Sequence, residues 1–193
     1  MYNYDESMIE FIPGFVTAEE TKIINEYINS FDVVGNKDVF YVEKIPVEHD
    51  GAREVTDEKI KALVHNFEQR IYNYLVNVYF PKHGLEVTEH IWTRNLELIR
   101  WVRYAVLGPH ADGLTTPPAE PKINIGTLIY LNDEYTGGEI KFNDYDLVFA
   151  PKTGDLVIFP NHYIHEVLEV KAKEPVTRRH TMPVFYSFNT KEA

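Results

Sequence analysis

The sequence predicts a mainly β protein, a sandwich or jelly roll with two N-terminal helices packed outside it, and three observations carry that prediction. Beyond Leu85 the chain holds seven short runs rich in β-branched and aromatic residues: Leu96 to Ala105, Ile123 to Leu131, Gly138 to Phe142, Leu147 to Ala150, Asp155 to Phe159, Ile164 to Val170 and Val176 to Phe188. Gly, Pro, Asn and Asp separate most of them, the punctuation of short antiparallel strands and not of an alternating α/β sheet. Before Leu85, two segments repeat apolar residues at helical spacing. A chain of 193 residues buries roughly 70% of its unfolded surface and needs no covalent staples. One domain over 1–193 is expected, with a helical layer to about residue 84 and a jelly-roll core over about 85–190.

The first helix is announced by Thr17 and Glu20, which stand at capping-box spacing after the short apolar stretch Phe11 to Val16. Ile23, Ile24, Tyr27, Ile28 and Phe31 then give it one apolar face. Residues 32–56 mix charge with Pro46 and Gly51 and read as a long connection, with a strand possible at Val39 to Val42. A second, stronger helix pattern starts at Thr56-Asp57: Ile60, Leu63, Val64, Phe67, Ile71, Leu75 and Val78 form its stripe, and Pro81 and Gly84 mark its stop. Both helices read as packing elements. His49, His83 and His90 fall in or near irregular segments with no partner at ligand spacing.

Composition excludes several chemistries. With no cysteine there are no disulfides, no thiol catalysis and no thiolate-held metal, so any metal rests on His, Asp and Glu. A net charge of −11 opposes attraction to phosphate backbones and ranks nucleic acid low as a partner. No basic segment followed by an apolar one opens the chain, and no apolar run approaches a bilayer-spanning length, so a soluble cytoplasmic protein without a membrane partner is expected.

The candidate chemistry centres on His110-Ala111-Asp112. If Ala111 is extended, the imidazole and the carboxylate on either side of it share a face. A His-x-Asp is common by chance, so it needs a third group. His165, in the turn-and-strand stretch after Phe159, supplies one, making the two-histidine, one-carboxylate face that suits non-haem Fe(II). His162, three residues earlier, is of opposite parity. Arg179 shares a strand face with Thr181, Pro183 and Phe185, whereas Arg178 faces the other way. A buried arginine demands an anion, and a hydroxyl two residues on makes a cradle for a carboxylate. The loop Gly113 to Pro121, with three prolines, borders the His-x-Asp and reads either as a lid or as a plain surface connection.

Taken in order, Phe11-Ile12-Pro13-Gly14-Phe15, His110-Ala111-Asp112, Thr127 to Asn132, Gly137 to Phe142, Pro151 to Phe159, His165-Glu166-Val167 and Arg179-His180-Thr181 resemble the Fe(II)- and 2-oxoglutarate-dependent dioxygenases of the prolyl 4-hydroxylase-like group. The resemblance runs from about residue 9 to 188 and implies a double-stranded β-helix. Carried over residue by residue, it implies His110, Asp112 and His165 as catalytic iron ligands and Arg179 as the partner of the 2-oxoglutarate distal carboxylate. Tyr104 and Thr181 are further cofactor candidates, and Arg178 stands as a substitute for Arg179 because the stretch after His165 is longer than in many members.

The resemblance further implies cofactors Fe(II), 2-oxoglutarate and O2, with ascorbate supportive. The reaction is then hydroxylation of an aliphatic C–H, of a prolyl residue or a small amino-acid-like substrate, with release of succinate and CO2. The rival is a non-catalytic jelly-roll metal-binding or interaction module, which has no need of the arginine cradle. A small molecule or a peptide is the expected substrate partner, with the loops at 35–55 and 113–122 and Tyr163 shaping its pocket. Oligomeric state is not legible.

Overall fold

The computed structural model describes residues 4–30, 42–46, 55, 57–94, 96–101, 105–114, 122–171 and 178–191. Tyr104, Phe31, Val39 to Tyr41, most of the 35–55 connection and residues 115–121 of the proline-rich loop lie outside the described residues. In chain order the strands are β1 (Glu10–Ile12), β2 (Val42–Pro46), β3 (Val87–Arg94), β4 (Glu97–Trp101), β5 (Leu107–His110), β6 (Lys122–Tyr130), β7 (Thr136–Gly137), β8 (Ile140–Phe142), β9 (Leu147–Phe149), β10 (Leu156–Pro160), β11 (His165–Val167), β12 (Val170–Lys171) and β13 (Arg179–Thr190). Helices α1 (Ala18–Ser30) and α2 (Glu58–Tyr74) precede most of them.

The larger sheet runs β1-β10-β6-β13-β4-β2, with β3 also pairing β13; the smaller runs β5-β11-β8-β9; β12 and β7 form a short ribbon. All of these pairings are antiparallel, as the strand punctuation predicts. β13 pairs β6 over nine residues, from Thr181 with Tyr130 to Asn189 with Lys122. Alternation then assigns two faces. Ile123, Ile125 and Ile129 of β6 and Met182, Val184, Tyr186 and Phe188 of β13 join one buried cluster with Ile24, Ile28, Val64, Phe67 and Ile71 of the helices. The Tyr186 hydroxyl donates to the Glu68 carbonyl of α2 at 3.0 Å, and His180 meets Asn25 of α1. The other face, with Arg179, Thr181, Gly126 and Tyr130, turns to the barrel interior.

α1 starts as expected: the Thr17 amide donates to Glu20 Oε2 at 2.7 Å and the Glu20 amide to Thr17 Oγ1 at 3.2 Å. Its buried face is narrower than the sequence suggests, since Ile23 is 40% exposed while Ile24 and Ile28 are covered. In α2 the expected stripe holds through Leu75 and then shifts. Residues Leu75–Tyr79 form a π turn, whose extra residue rotates the apolar face by one position. Val78 is left 44% exposed, and Tyr79 and Phe80 are buried in its place. Gly108 and Pro109 lie at an irregularity of the ladder: Leu107 pairs Val167 and His110 pairs His165, three steps against two, on an edge strand where a missing donor is tolerated. One more expectation is corrected: His90 is not in an irregular segment but inside β3, packed on Tyr72 and Phe188.

Edge strand β1 is fastened to the end of the helical layer by Glu10. Its carboxylate accepts from the Tyr74 hydroxyl at 3.0 Å and lies 2.9 Å from His83 Nε2 and 2.8 Å from Lys82 Nζ. Burial alone would raise its pKa, but the bonds from Lys82, His83 and Tyr74 outweigh burial and hold it below the ordinary 4.5. A depressed carboxylate stabilises the fold above its unfolded-state pKa and ceases to as pH falls through the folded-state value. Glu10→Gln is therefore expected to cost about 1–2 kcal/mol in urea unfolding at neutral pH, with the two proteins converging in stability below that lowered pKa.

Candidate functional site

The register of the smaller sheet sets His165 of β11 opposite His110 of β5. Paired residues project to one face, so the imidazoles meet, with ring centroids 4.3 Å apart. The chain leaves β5 at His110 and bends at Asp112-Gly113, which brings the Asp112 carboxylate to both rings. Its Oδ1 is 3.6 Å from His110 Nε2 and its Oδ2 3.6 Å from His165 Nε2. Those separations are too long for hydrogen bonds, yet one ligand atom from each of the three residues lies within 4.8 Å of the others. The three groups converge on a shared point and not on one another.

The far ring nitrogens explain why. His110 Nδ1 is 2.8 Å from the Gly108 carbonyl, and His165 Nδ1 is 3.0 Å from the Tyr163 carbonyl. A carbonyl oxygen only accepts, so each Nδ1 carries the proton and each Nε2 turns its lone pair inward, the arrangement typical of metal-ligating histidine. Two imidazoles and one carboxylate, with no sulfur, fit an octahedral divalent metal such as Fe(II) and leave one face of it open. Gly126 of β6 gives the carboxylate its space: a Cβ there would lie 3.4 Å from Asp112 Oδ2 and 3.0 Å from the Phe159 ring.

The two histidines differ in setting. The His110 side chain is 27% exposed and the His165 side chain 5%, with Phe159 and Phe142 rings 4.7 and 5.8 Å from the latter. Burial opposes protonation of both. At His165 burial dominates, and the positive charge His110 would carry adds to it, so its pKa is lowered despite Asp112. At His110 the nearby Asp112 carboxylate and the hydrogen bond that Nδ1 donates to the Gly108 carbonyl outweigh burial, and its pKa is raised above the ordinary 6.5.

The interior face of the larger sheet, which Gly126 shares with Tyr130, carries a second polar group. Arg179 is fully buried, and none of its three guanidinium nitrogens has a hydrogen-bond partner among the described residues. Its Cζ stands 4.6 Å from the Trp101 ring centroid and 5.2 Å from that of Tyr130. The hydroxyls of Tyr130 and Tyr135 are likewise buried without partners. Burial pushes both phenols up against the partial pull of Arg179, so both are protonated donors. Thr181 Oγ1 accepts from Trp101 Nε1 at 2.9 Å, which leaves its own proton to give. Gly138, at φ +69°, closes the pocket: a Cβ would come 3.0 Å from Arg179 Cδ and 3.1 Å from the Tyr135 ring.

The structure thus brings together His110, Asp112 and His165, and it places Arg179 and Thr181 on one interior face. Tyr104 cannot be placed with them. Arg178 precedes β13, and its carbonyl accepts from Asn132. Tyr163, expected near the pocket, turns its hydroxyl to the Asp5 carbonyl at 2.9 Å and its ring to Tyr145 and His162. The sequence gives no weight to Trp101, Tyr130 or Tyr135. Only the β13 register, which pairs Arg179 with Trp101 and Thr181 with Tyr130, reveals the first two, and nothing in the sequence pattern marks the third.

Comparison with known proteins agrees with this geometry. The sequence profile of the 2OG-Fe(II) oxygenase superfamily matches residues 99–187, the stretch holding all three convergent side chains and Arg179. No curated protein matches the chain. Among solved structures it is similar to the viral collagen prolyl hydroxylase of Paramecium Bursaria Chlorella virus-1 in its 2OG complex, at 14% identity and TM-score 0.67 over 97% of this chain and 98% of that one. It is also similar to a prolyl-4-hydroxylase of Pseudomonas putida, at 13% identity and TM-score 0.60 over 95% and 93% of the two chains. A third, HygX of Streptomyces hygroscopicus with nickel and 2-oxoglutarate bound, is 12% identical with a TM-score of 0.57 over 94% and 82%. At such identities the structures establish the double-stranded β-helix fold. With that fold along its length, the superfamily profile across residues 99–187 and a His-Asp-His cluster that fits Fe(II), the chain is similar to the 2OG-Fe(II) oxygenases through its strand core.

Proposed function

We propose that His110, Asp112 and His165 hold Fe(II), that Arg179 takes the distal carboxylate of 2-oxoglutarate, and that the enzyme hydroxylates an aliphatic C–H of a prolyl residue in a peptide or of a small amino-acid-like molecule. The observation that carries this reading is the fully buried guanidinium, without a partner among the described residues, on the interior face of the larger sheet, the face whose Gly126 abuts Asp112 of the histidine-aspartate cluster. A desolvated cation without an anion is costly, by several kcal/mol in order of magnitude, and a dicarboxylate that also reaches a metal removes that cost. Prolyl substrates are suggested by the two hydroxylases whose fold the chain shares.

When bound, the metal supplies the redox chemistry by which RH, O2 and 2-oxoglutarate become ROH, succinate and CO2. The chain supplies the geometry. The Gly108 and Tyr163 carbonyls hold both rings in the tautomer that ligates. Tyr130, Tyr135 and Thr181 offer hydroxyl protons beside Arg179, so the distal carboxylate meets neutral donors as well as the guanidinium. Phe142 and Phe159 keep water from the His165 side. Substrate comes from the opposite side, where His110 is partly open and Leu114, two residues past Asp112, is 79% exposed. Farther out on the interior face of β6, the buried Asn124 Oδ1 has no partner among the described residues and can accept a donor from the substrate. We take the whole chain to be one catalytic domain acting in the cytoplasm. The described residues contain no helix long and apolar enough to cross a membrane.

The test is succinate formation from 2-oxoglutarate with Fe(II) and ascorbate, with and without blocked prolyl peptides; a protein of full iron content that makes no succinate under either condition would sink the reading. Asp112→Ala is expected to abolish turnover while leaving the melting temperature in the absence of metal close to wild type. Arg179→Met should weaken 2-oxoglutarate binding at least about thirtyfold, the usual cost of losing one partner of a buried charge pair.

Acid should release the metal, and the opposed shifts of the histidines set the order. Protonation at Nε2 competes with ligation, so affinity is complete above the raised pKa of His110 and falls below it by about tenfold per pH unit while one proton is displaced. The lowered pKa of His165 delays its own competition to more acid solution. A titration of Mn(II) affinity against pH that breaks below 6.5, with no change above it, would contradict this order.

A further inference from the structure

Arg179 is the first residue of β13, a place where a strand ordinarily frays, and β6 ends opposite Thr181. Beyond Tyr130 the Leu131 amide still donates to the His180 carbonyl at 2.9 Å, and then the neighbouring backbone is gone. A side chain takes over. Asn132 Oδ1 accepts from the His180 amide at 2.8 Å, and its Nδ2 donates to the Arg178 carbonyl at 2.6 Å. One carboxamide thus grips the peptide groups on both sides of Arg179 and reproduces the donor-acceptor pair that a further strand residue would offer. On the other edge Arg179 is paired with Trp101 of β4.

A second carboxamide holds the same spot from the helical layer. Asn25 of α1 donates through Nδ2 to the Leu131 carbonyl at 2.7 Å, and its Oδ1 lies 2.7 Å from His180 Nδ1. Since Oδ1 can only accept, His180 Nδ1 is the donor, and burial, which lowers the pKa of this imidazole to about 4, keeps the ring neutral. Alternation sends His180 to the helices and Arg179 to the interior, so fixing one fixes the other.

We propose that Asn132 is a positioning residue for 2-oxoglutarate: by clamping the backbone across Arg179, with Asn25 and His180 behind it, it sets where the guanidinium stands. The inference rests on the assignment of Arg179 to the distal carboxylate. A long side chain magnifies any tilt of its own backbone, and displacement of a binding group by about 1 Å costs on the order of a hundredfold where geometry decides.

The test is calorimetric titration of 2-oxoglutarate into Mn(II)-loaded protein without O2, alongside the KM for 2-oxoglutarate and kcat in succinate formation. Asn132→Ala removes both bonds. Asn132→Asp keeps the acceptor for the His180 amide, sets a carboxylate against the Arg178 carbonyl, and carries the test should the alanine variant not fold. Both are expected to raise Kd and KM for 2-oxoglutarate by about tenfold or more, with kcat at saturation within about twofold and Mn(II) affinity unchanged. Ile71→Val in α2 controls for lost stability, since it thins the core far from the pocket. Asn132 variants that bind 2-oxoglutarate as wild type does, or no worse than Ile71→Val at equal loss of melting temperature, overturn the positioning role and leave the oxygenase reading intact. Wild-type protein that binds Mn(II) but not 2-oxoglutarate overturns both.

Discussion

The nine-residue antiparallel pairing of β6 with β13 is the constraint on which the rest of the structure depends. A strand shows one set of side chains to each face, and a slip of one residue exchanges the sets. In the observed register the isoleucines of β6 and the Met182-Val184-Tyr186-Phe188 series reach the helices, while Gly126, Tyr130, Arg179 and Thr181 reach the interior. One slip would put a guanidinium against Ile24 and Ile28 and leave Phe188 in the pocket. The apolar face therefore enforces the polar one, and the burial that stabilises the fold also selects the residues that face the interior.

The smaller sheet contributes differently. Its strands are short, and β5 and β9 are edges. What it fixes is one cross-strand pair, His110 with His165, and two carbonyls that choose the tautomer of each ring. A metal site needs few residues but exact lone-pair directions, which main-chain acceptors supply more rigidly than mobile side chains would. The division of labour follows: the large sheet carries most of the buried apolar face and the Arg179 guanidinium, the small one the convergence of His110 and His165.

Much of this was legible in the sequence, for local reasons. Thr17 and Glu20 cap a helix whatever surrounds them, and alternation in the 179–188 run places Arg179 with Thr181 without any partner strand. The convergence of His110, Asp112 and His165 was legible because strand parity puts the first two on one face and the ordered family motifs single out the third. What was not legible depends on nonlocal geometry. The π turn at Leu75–Tyr79 moved the buried face from Val78 to Tyr79, because one extra residue in a turn leaves no mark on periodicity before it occurs. β3 was not marked off from Leu85–Asn95, since its face is mostly exposed and lacks alternation. Trp101 and Tyr130 reach Arg179 only through the registers of β4 and β6 with β13.

Under the proposed assignment, Arg179 is where the fold gives up stability for ligand binding. A cation buried over two aromatic rings gains cation-π attraction of about 2 kcal/mol or more when desolvated, which offsets part of the several kcal/mol that desolvation of a charge takes. Two phenol hydroxyls beside it also lack partners among the described residues. Evidently nothing in the apolar framework requires these groups, and a leucine at 179 with phenylalanines at 130 and 135 would satisfy the same packing. Their cost is met by the surrounding sheet, where Asn132, Asn25 and Gly138 hold the pocket in shape before any ligand arrives. A pocket kept open in this way binds its anion without first ordering its own side chains, so more of the pairing energy is expressed as affinity. The unpaired charge is thus tolerated because its backbone is held from both sides, and the restraint at Asn132 and the vacancy in hydrogen bonding at Arg179 are two halves of one arrangement.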